Sequence, residues 1–530
     1  MFYKKKLFLI LTFFGIFHWF CFYYVSDYYS YNNLNPESQI SFENYNKDYT
    51  SNISIKTLKE KFYKSDKELL KQFFHEKGFK LNKIFTFNNF IENDWYKEIA
   101  YLKVISESIR NKFIPFHVNG LNEIVYSSNK FLGSPIYTLS PQILLLNYIS
   151  VDSFILLNLF FMFSIGLLGL FFISKEFKLS LMPILFLYIF FNFNGYFISK
   201  YSYYGASQLG YFILPFVFLS LIKISNVFNF KKEIAWSIFL GMSLSLLLLQ
   251  GSLHLYIETL TLILFWAIFN LKKWRLSLTI ILVNFSTSFF RLLPAYLSYG
   301  SEANPHTSIS GFGGYGSISI FLESLISVKT HFDIPGYWHE LSVFISLPFF
   351  LMILLFGLFC YLFDKYNFNK SVWKGLVFPV LLIFIISFHK FKFIVLPNFI
   401  PLFNAESLTT RYIIIPILFL AIVAAINFND YIKVNSSKLK NFLFGFMILS
   451  SFLLLMNYSR NWRNNLLYSE LKWAESLNLK GWHFVSDDII LTISNNYNDN
   501  IYIYSIYLSF LFSLLSYSLF IYLFIKLKRG

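Results

Sequence analysis

Long, continuous apolar runs recur along this chain, and residues 7–25 and 154–173 are two of them. A transmembrane helix needs about 20 predominantly apolar residues to cross a bilayer. The 530 residues are 56% apolar and 14% charged, whereas a soluble chain is about 45–50% apolar and about 25% charged. The sequence therefore predicts an all-α polytopic membrane protein and excludes a soluble enzyme, a disordered protein and a disulfide scaffold. Because the runs are continuous rather than alternating, a β-barrel is also excluded.

The net charge is +16, a value that in another chain would suggest nucleic-acid binding. Here most basic residues stand at the ends of apolar runs, so orientation in the membrane explains them better, and no nucleic-acid partner is expected. The two cysteines, Cys21 and Cys360, lie in separate apolar runs. That placement excludes metal-ligand spacing and a disulfide framework.

Twelve spans are expected, of which the first covers residues 7–25. It follows Lys4–Lys6 without a small-residue cleavage site, so it is interpreted as an uncleaved anchor. The later spans begin near Phe154, Leu179, Ala206, Ile234, Leu255, Leu276, Leu341, Leu376, Tyr412, Phe442 and Ile501. Lysine and arginine clusters mark every second loop, which predicts that these loops and both termini are cytoplasmic in a multi-pass cell-membrane protein.

The other loops are long, and loops positioned by a rigid scaffold often carry sites. We therefore expect any chemistry on the outer face. The predicted units are an anchor (1–25), an extracytoplasmic domain (26–150), a bundle (151–456) with outer loops 291–340 and 389–411, an outer segment (457–500), and a final helix with a basic tail (501–530). Within the extracytoplasmic domain, apolar spacing predicts amphipathic helices over 57–77 and 94–112.

Asp94 stands at the start of the second amphipathic helix. One interpretation is an N-cap, in which the carboxylate accepts hydrogen bonds from first-turn amides and contributes about 1 kcal/mol. The other is a general base that takes a proton from an acceptor hydroxyl at the membrane surface. The sequence leaves both open.

Glu258 lies within the sixth apolar run, four residues after His254. An ionisable group inside a span is costly and therefore suggests a site, unless a shorter span leaves it in the interface. Arg291 and Arg411 flank outer span ends. Each is a candidate for holding a phosphate through its planar donor fork, or for snorkelling to the headgroups.

Residues 311–316 form a Gly-rich stretch without the GK[ST] of a phosphate-binding loop, so a substrate-covering loop and an ordinary connection both remain open. His331, His339 and Glu340 follow it without metal-ligand spacing, so no metal site and no cofactor are expected. No nucleotide motif is present in the cytoplasmic loops, which excludes an ATP-driven pump made of this chain alone.

Short motifs are spread over residues 1–426. In order they are Asp94, Ile109-Arg110-Asn111-Lys112, Pro115-Phe116, Leu132-Gly133-Ser134-Pro135, Leu139-Ser140-Pro141, Leu249-Gln250-Gly251-Ser252 with His254, Leu293-Pro294, His339-Glu340, Pro397, Pro401 and Thr410-Arg411-Tyr412. Together they resemble the GT-C superfamily of membrane glycosyltransferases, most closely its YfhO-like bacterial branch. One departure is that Asp94 lies some 70 residues beyond the first span, so Asp27 is a rival for the acidic position.

The resemblance implies transfer of a sugar from a polyprenyl-phosphate donor in the outer leaflet to an envelope polysaccharide, lipid or protein, with inversion. Asp94 or Asp27 then takes the acceptor proton, while Arg411 or Arg291 holds the departing phosphate. The resemblance also makes His254, Glu258, His339 and Glu340 candidate substrate-binding residues.

A rival class is a transporter or flippase, because twelve spans with both termini inside also suit that class. Against it, the two halves show no matched repeat and few charges lie mid-span. A third class is a structural envelope protein without activity.

Overall fold

The computed structural model describes residues 2–32, 139–226, 229–299, 314–327, 338–359, 375–388, 408–434, 437–465 and 500–529, with isolated positions between 102 and 131 and Trp373. This part of the chain is a bundle of helices. One antiparallel pair of two-residue strands joins β1 (His117–Val118) to β2 (Lys130–Phe131). Most of the predicted extracytoplasmic domain, 26–150, lies outside the described residues.

The helices follow the apolar runs. In order they are α1 (Phe2–Asn32), α2 (Val151–Glu176), α3 (Leu181–Phe193), α4 (Gly195–Tyr204), α5 (Leu214–Asn226), α6 (Phe230–Leu249), α7 (Leu253–Phe269), α8 (Trp274–Tyr299), α9 (Ile318–Ile326), α10 (Trp338–Leu341), α11 (Leu347–Met352), α12 (Val377–Ile386), α13 (Ile414–Val434), α14 (Ser437–Asn465) and α15 (Asn500–Arg529). The 3₁₀ helices are Pro141–Asn147, Gly205–Ile213, Leu271–Lys273 and Thr409–Ile413, and α11 continues as a π-helix, Ile353–Phe359.

Seven helical segments of the described chain are long and apolar enough to cross a membrane. They are Ser153–Glu176, Leu181–Tyr201, Gly205–Asn226, Phe230–Leu249, Leu271–Pro294, Thr409–Lys433 and Tyr504–Lys528. Shorter apolar helices cover Leu253–Phe269, Leu347–Phe359, Val377–Ile386 and Asn441–Asn457. The predicted helical architecture is thereby confirmed for the described residues, with seven segments that could cross a membrane, while twelve crossings remain a prediction.

Polar side chains cap helices α2 and α6, which begin three to four residues before the predicted starts near Phe154 and Ile234. Ser150 caps α2 by accepting a hydrogen bond from the Ser153 amide at 3.3 Å, and Asn229 caps α6 through the amide of Lys231 at 3.0 Å. Such caps satisfy first-turn amides that have no partner within the helix. The starts of α2 and α6 therefore follow from single residues that are visible in the sequence.

The core is mainly aromatic and aliphatic, with buried serines, threonines and asparagines among the apolar side chains. Helix α13 lies within it: the span Thr409–Lys433 is 94% buried. By contrast, only 17% of the span in α15 is buried. This last helix packs along α8 and α6 on one side. Its remaining surface carries exposed leucines and phenylalanines, as expected for a helix that faces lipid.

Helix α15 also forms hydrogen bonds to the backbone of the proline-containing helix α8. Pro294 lies inside α8, and proline lacks the amide hydrogen that would bond to the carbonyl four residues earlier. One turn before it, the Ser513 hydroxyl accepts a hydrogen bond from the Phe290 amide at 2.8 Å and donates to the Ser286 carbonyl at 3.4 Å. Neighbouring hydroxyls commonly satisfy backbone groups in this way in membrane helices.

Three described residues of the predicted helix 94–112 pack onto the bundle. Leu102 and Ile105 are buried and Ile109 packs against the same core, as the predicted apolar face requires. Beside them, the Ser106 hydroxyl donates to the Leu146 carbonyl at 3.0 Å. This part of the first loop therefore lies against the bundle.

Candidate functional site

An interrupted helix positions the first residue of the site. Asn194 separates α3 from α4: its side-chain oxygen accepts from the Phe197 amide at 3.1 Å and its amide donates to the Tyr211 hydroxyl at 2.8 Å. The Gly195 amide then donates to the Phe344 carbonyl at 2.6 Å. These bonds fix the start of α4 against the segment after α10, and they bring Lys200 next to α10.

The segment 341–346 is held from three directions. Besides the bond from Gly195, the Ile345 amide donates to the Leu325 carbonyl at 2.9 Å, and the Tyr315 hydroxyl donates to the Leu341 carbonyl at 2.9 Å. Burial raises the pKa of the Tyr315 phenol, so it is a neutral donor at physiological pH. The backbone that carries Glu340 is therefore fixed.

Glu340 lies between two cations. Its carboxylate accepts from Arg411 Nε at 3.0 Å and forms further short contacts with Arg411 Nη2 and Lys200 Nζ. Lys200 Nζ also donates to the Glu340 backbone carbonyl at 3.2 Å. A two-point arginine–carboxylate pair fixes orientation as well as charge. We call Lys200, Glu340 and Arg411 the ion cluster.

The ion cluster is withdrawn from solvent. Lys200 is 1% exposed, Glu340 3% and Arg411 7%. Glu258 on α7 is completely buried and interacts electrostatically with Lys200. Two positive and two negative side chains therefore share one buried region, which is the arrangement that buried charges require.

The neighbours of Arg411 tie the ion cluster to α7. The 3₁₀ helix Thr409–Ile413, which carries Arg411, contacts α7, α10 and α12. Tyr412 in that turn is buried, and its hydroxyl lies 3.4 Å from the Thr261 hydroxyl. Four segments that are distant in sequence thus meet at one end of the bundle.

That end lies opposite the lysine-rich helix ends. The span Leu181–Tyr201, which carries Lys200 near its end, begins just after Lys178, and α13, which follows Arg411, reaches Lys433 in its last turn. Likewise, Glu258 lies early in α7, whose other end leads to Lys272. If the lysine clusters mark the cytoplasmic side, the ion cluster lies at the outer side.

Arg291 occupies a second polar region nearby. It is completely buried, and its Nη1 donates to the Leu249 carbonyl at 3.0 Å. The Leu139 amide donates to the same carbonyl at 2.8 Å. Leu249 ends α6 just before Gly251, whose φ of 84° favours glycine. Two of the sequence motifs, 139–141 and 249–252, therefore meet in space.

Glutamine side chains add hydrogen bonds at the junction where residues 139–141 meet residues 249–252. The Gln250 side-chain oxygen accepts from Gln142 Nε2 at 2.9 Å and from the Ser140 hydroxyl at 3.3 Å. Gln142 Nε2 also donates to the Asn158 side chain at 3.0 Å. On the other side of the junction, Ser252 accepts from the Gly210 amide at 2.9 Å. The break between α6 and α7 is thus held by several neighbours.

The structure describes some predicted site residues only in part. Asp94 lies outside the described residues, and Asp27 lies in α1 with its side chain undescribed. His339 lies in α10, again without a described side chain, and His254 is half-buried near the start of α7. Arg411 and Glu340 are in direct contact, whereas Arg291 binds a backbone carbonyl instead.

Lys200 was not among the predicted site residues, although the sequence contained a signal for it. It is a lysine in an apolar run at the end opposite the lysine clusters, against the usual bias, and ionisable residues in spans suggest sites. Within the described ranges, no group of three or more His, Cys, Asp and Glu side chains is arranged to hold a metal ion.

Comparison with known proteins returned no match to a protein-family model, a curated protein or a solved structure.

Proposed function

We propose that this chain is a membrane glycosyltransferase that takes a sugar from a polyprenyl-phosphate donor at the outer face of the cell membrane. The observation that carries the proposal is the buried ion cluster, in which Arg411 and Lys200 converge on one carboxylate at the end of the bundle away from the lysine clusters. Such a site suits an anionic headgroup delivered from a leaflet. The motif resemblance to GT-C enzymes supports the same reaction.

In the proposed reaction, an acceptor hydroxyl oxygen bonds to the anomeric carbon of the donor sugar. The bond from that carbon to the phosphate oxygen breaks with inversion, and its electron pair leaves with the polyprenyl phosphate. Asp94, or Asp27 as its rival, takes the hydroxyl proton as general base. Arg411 stabilises the charge that develops on the phosphate, and Arg291 is the alternative for that role.

The remaining polar residues of the region are proposed to shape the donor site. Glu258 balances the charge of Lys200, and Glu340 is the carboxylate that Arg411 and Lys200 share. His254 near the start of α7 and His339 beside Glu340 are proposed to contact substrate. The proposed partners are the lipid-linked donor, membrane lipids and an envelope polysaccharide, lipid or protein as acceptor.

The test uses the full chain in lipid nanodiscs with a polyprenyl-phosphate sugar, and it measures released polyprenyl phosphate. We expect release by the native protein and a loss of at least about tenfold in Arg411→Ala, because oxyanion-stabilising donors contribute about 10²–10³-fold in rate. Arg411→Lys should restore little, since lysine lacks the two-point fork. The matched control is Arg275→Ala, at the start of α8 and at the other end of the bundle. Full release by Arg411→Ala would exclude the proposed role of Arg411.

A second candidate function is a transporter or flippase for lipid-linked or envelope substrates. The interruption between α3 and α4 at Asn194 favours it, because discontinuous helices form the binding sites of many transporters. Movement of an intact fluorescent lipid-linked sugar between the leaflets of proteoliposomes, without release of polyprenyl phosphate, would support this alternative over the transferase.

A further inference from the structure

We propose that the Glu340 carboxylate occupies, in the ligand-free protein, the position that the phosphate group of a lipid takes on Arg411 and Lys200, so that Glu340 is an internal competitor of the ligand. The inference rests on the proposed function for the kind of lipid, and it adds a gating residue to that site. The probe chemistry is a phosphate monoester on an isoprenoid chain.

The geometry of Arg411 supports this exchange. Glu340 uses the Nε and Nη2 positions of the guanidinium together. Arginine presents that same pair of donors to carboxylates and to phosphates. A phosphate and the Glu340 carboxylate therefore compete for one edge of Arg411.

The backbone at Glu340 is anchored, so only the side chain has to move. Hydrogen bonds hold Leu341, Phe344 and Ile345. Lys200 binds the Glu340 carbonyl oxygen as well as the carboxylate. When the carboxylate rotates away, Lys200 therefore keeps one partner and stays beside Arg411.

The charge balance of the ion cluster and Glu258 favours a phosphate in place of the Glu340 carboxylate. Lys200, Arg411, Glu340 and Glu258 sum to zero when all are charged. If the Glu340 carboxylate leaves the region or is replaced by an amide, the two cations face Glu258 alone. One positive charge is then in excess in a buried region, where an isolated charge is costly, and an anionic phosphate offsets that excess.

The experiment measures binding of geranyl phosphate to the purified full chain in detergent, with geraniol and inorganic phosphate as separate arms. We expect Glu340→Gln to bind geranyl phosphate at least about tenfold more tightly than the native protein, because apparent affinity rises in proportion to the fraction of open sites. Geraniol should show no such gain. A gain for geranyl phosphate alone assigns the site to a lipid headgroup, and an equal gain for inorganic phosphate assigns it to the phosphate group itself.

The matched control is Glu176→Gln, which removes the carboxylate of the solvent-accessible Lys223–Glu176 ion pair at the lysine-rich end. Its affinity for geranyl phosphate should stay at the native value. If Glu340→Gln does not fold, Glu340→Asp is used instead, because its shorter carboxylate competes less well and should give a smaller gain in the same direction.

Unchanged or weaker binding in the folded Glu340 variant would overturn the proposal and make Glu340 a positioning residue for Arg411. The readout is independent of turnover. If Glu340→Gln binds more tightly but the protein releases no polyprenyl phosphate, the transferase proposal is refuted and the competitor role of Glu340 stands. If the protein transfers sugar but Glu340→Gln binds with unchanged affinity, the transferase proposal stands and the competitor role is refuted.

Discussion

Removing one charge from the ion cluster is expected to destabilise the protein, and removing a compensating charge as well is expected to recover part of the loss. Lys200→Met leaves Arg411 with two carboxylates, Glu340 and Glu258, and so with one negative charge in excess. Glu340→Gln leaves one positive charge in excess. The double variant Lys200→Met/Glu340→Gln is balanced again, because Arg411 then faces Glu258 alone.

Burial sets the size of the effect. Lys200 and Glu340 are 1% and 3% exposed, and removing one partner of a buried ion pair typically costs about 3–5 kcal/mol. Since Glu340 keeps its bonds to Arg411 in Lys200→Met, we expect about 3 kcal/mol there. Glu340→Gln removes the carboxylate that both cations share, so we expect about 5 kcal/mol. The double variant should lose less than the sum of these by about 1–3 kcal/mol.

The assay is equilibrium unfolding in mixed micelles, titrated with a denaturing detergent and followed by tryptophan fluorescence. The reference cycle uses the Lys223–Glu176 pair, whose side chains are 21% and 39% exposed. Its members should contribute about 0–1 kcal/mol and show little coupling, as solvent-accessible pairs do. Strictly additive losses for Lys200→Met and Glu340→Gln, or losses as small as those of the exposed pair, would refute the charge-balance argument.

Three further outcomes are expected. Asp94→Asn should lower transfer by about 10²–10⁴-fold if Asp94 is the general base, with Asp27→Asn as its control; normal transfer in a well-folded Asp94→Asn removes Asp94 from the mechanism. Gly195→Ala should lower the unfolding midpoint, because its Cβ would lie 2.6 Å from the backbone nitrogen of Phe344. An unchanged midpoint would show that the backbone at Phe344 moves enough to admit the methyl group. Ser51→Cys should react with an impermeant thiol reagent in intact cells and Lys232→Cys should not, and the reverse pattern would invert the predicted topology.

Hydropathy predicted the apolar helices because a bilayer leaves a chain few alternatives. Backbone groups in lipid must be bonded within the segment, so each long apolar run has to become a helix. The apolar run that begins near residue 154 forms α2, and the run that begins near residue 501 forms α15. Boundaries shifted by several residues: α8 continues through Pro294 to Tyr299, past the predicted end near residue 291.

The ion cluster was only partly predictable. Arg411 and Glu340 were each singled out, but 71 residues separate them, and no periodic pattern links residues so far apart. The pairing with Lys200, across 140 residues, depends on the helix break at Asn194. The complete burial of Glu258 among other helices also required the packed structure, because the sequence does not show which side of α7 faces the bundle.

The Ser513 bond gives the chain an order of assembly. Residue Phe290, in α8, is synthesised 223 residues before the hydroxyl that bonds to its amide. Until α15 enters the membrane, the Phe290 amide therefore bonds to another acceptor, such as the Ser286 carbonyl one turn earlier in the same helix. Packing of α8 thus ends with the arrival of the last helix, and a chain halted before α15 would leave the face of α8 that α15 covers open to the proteases that survey newly made membrane proteins.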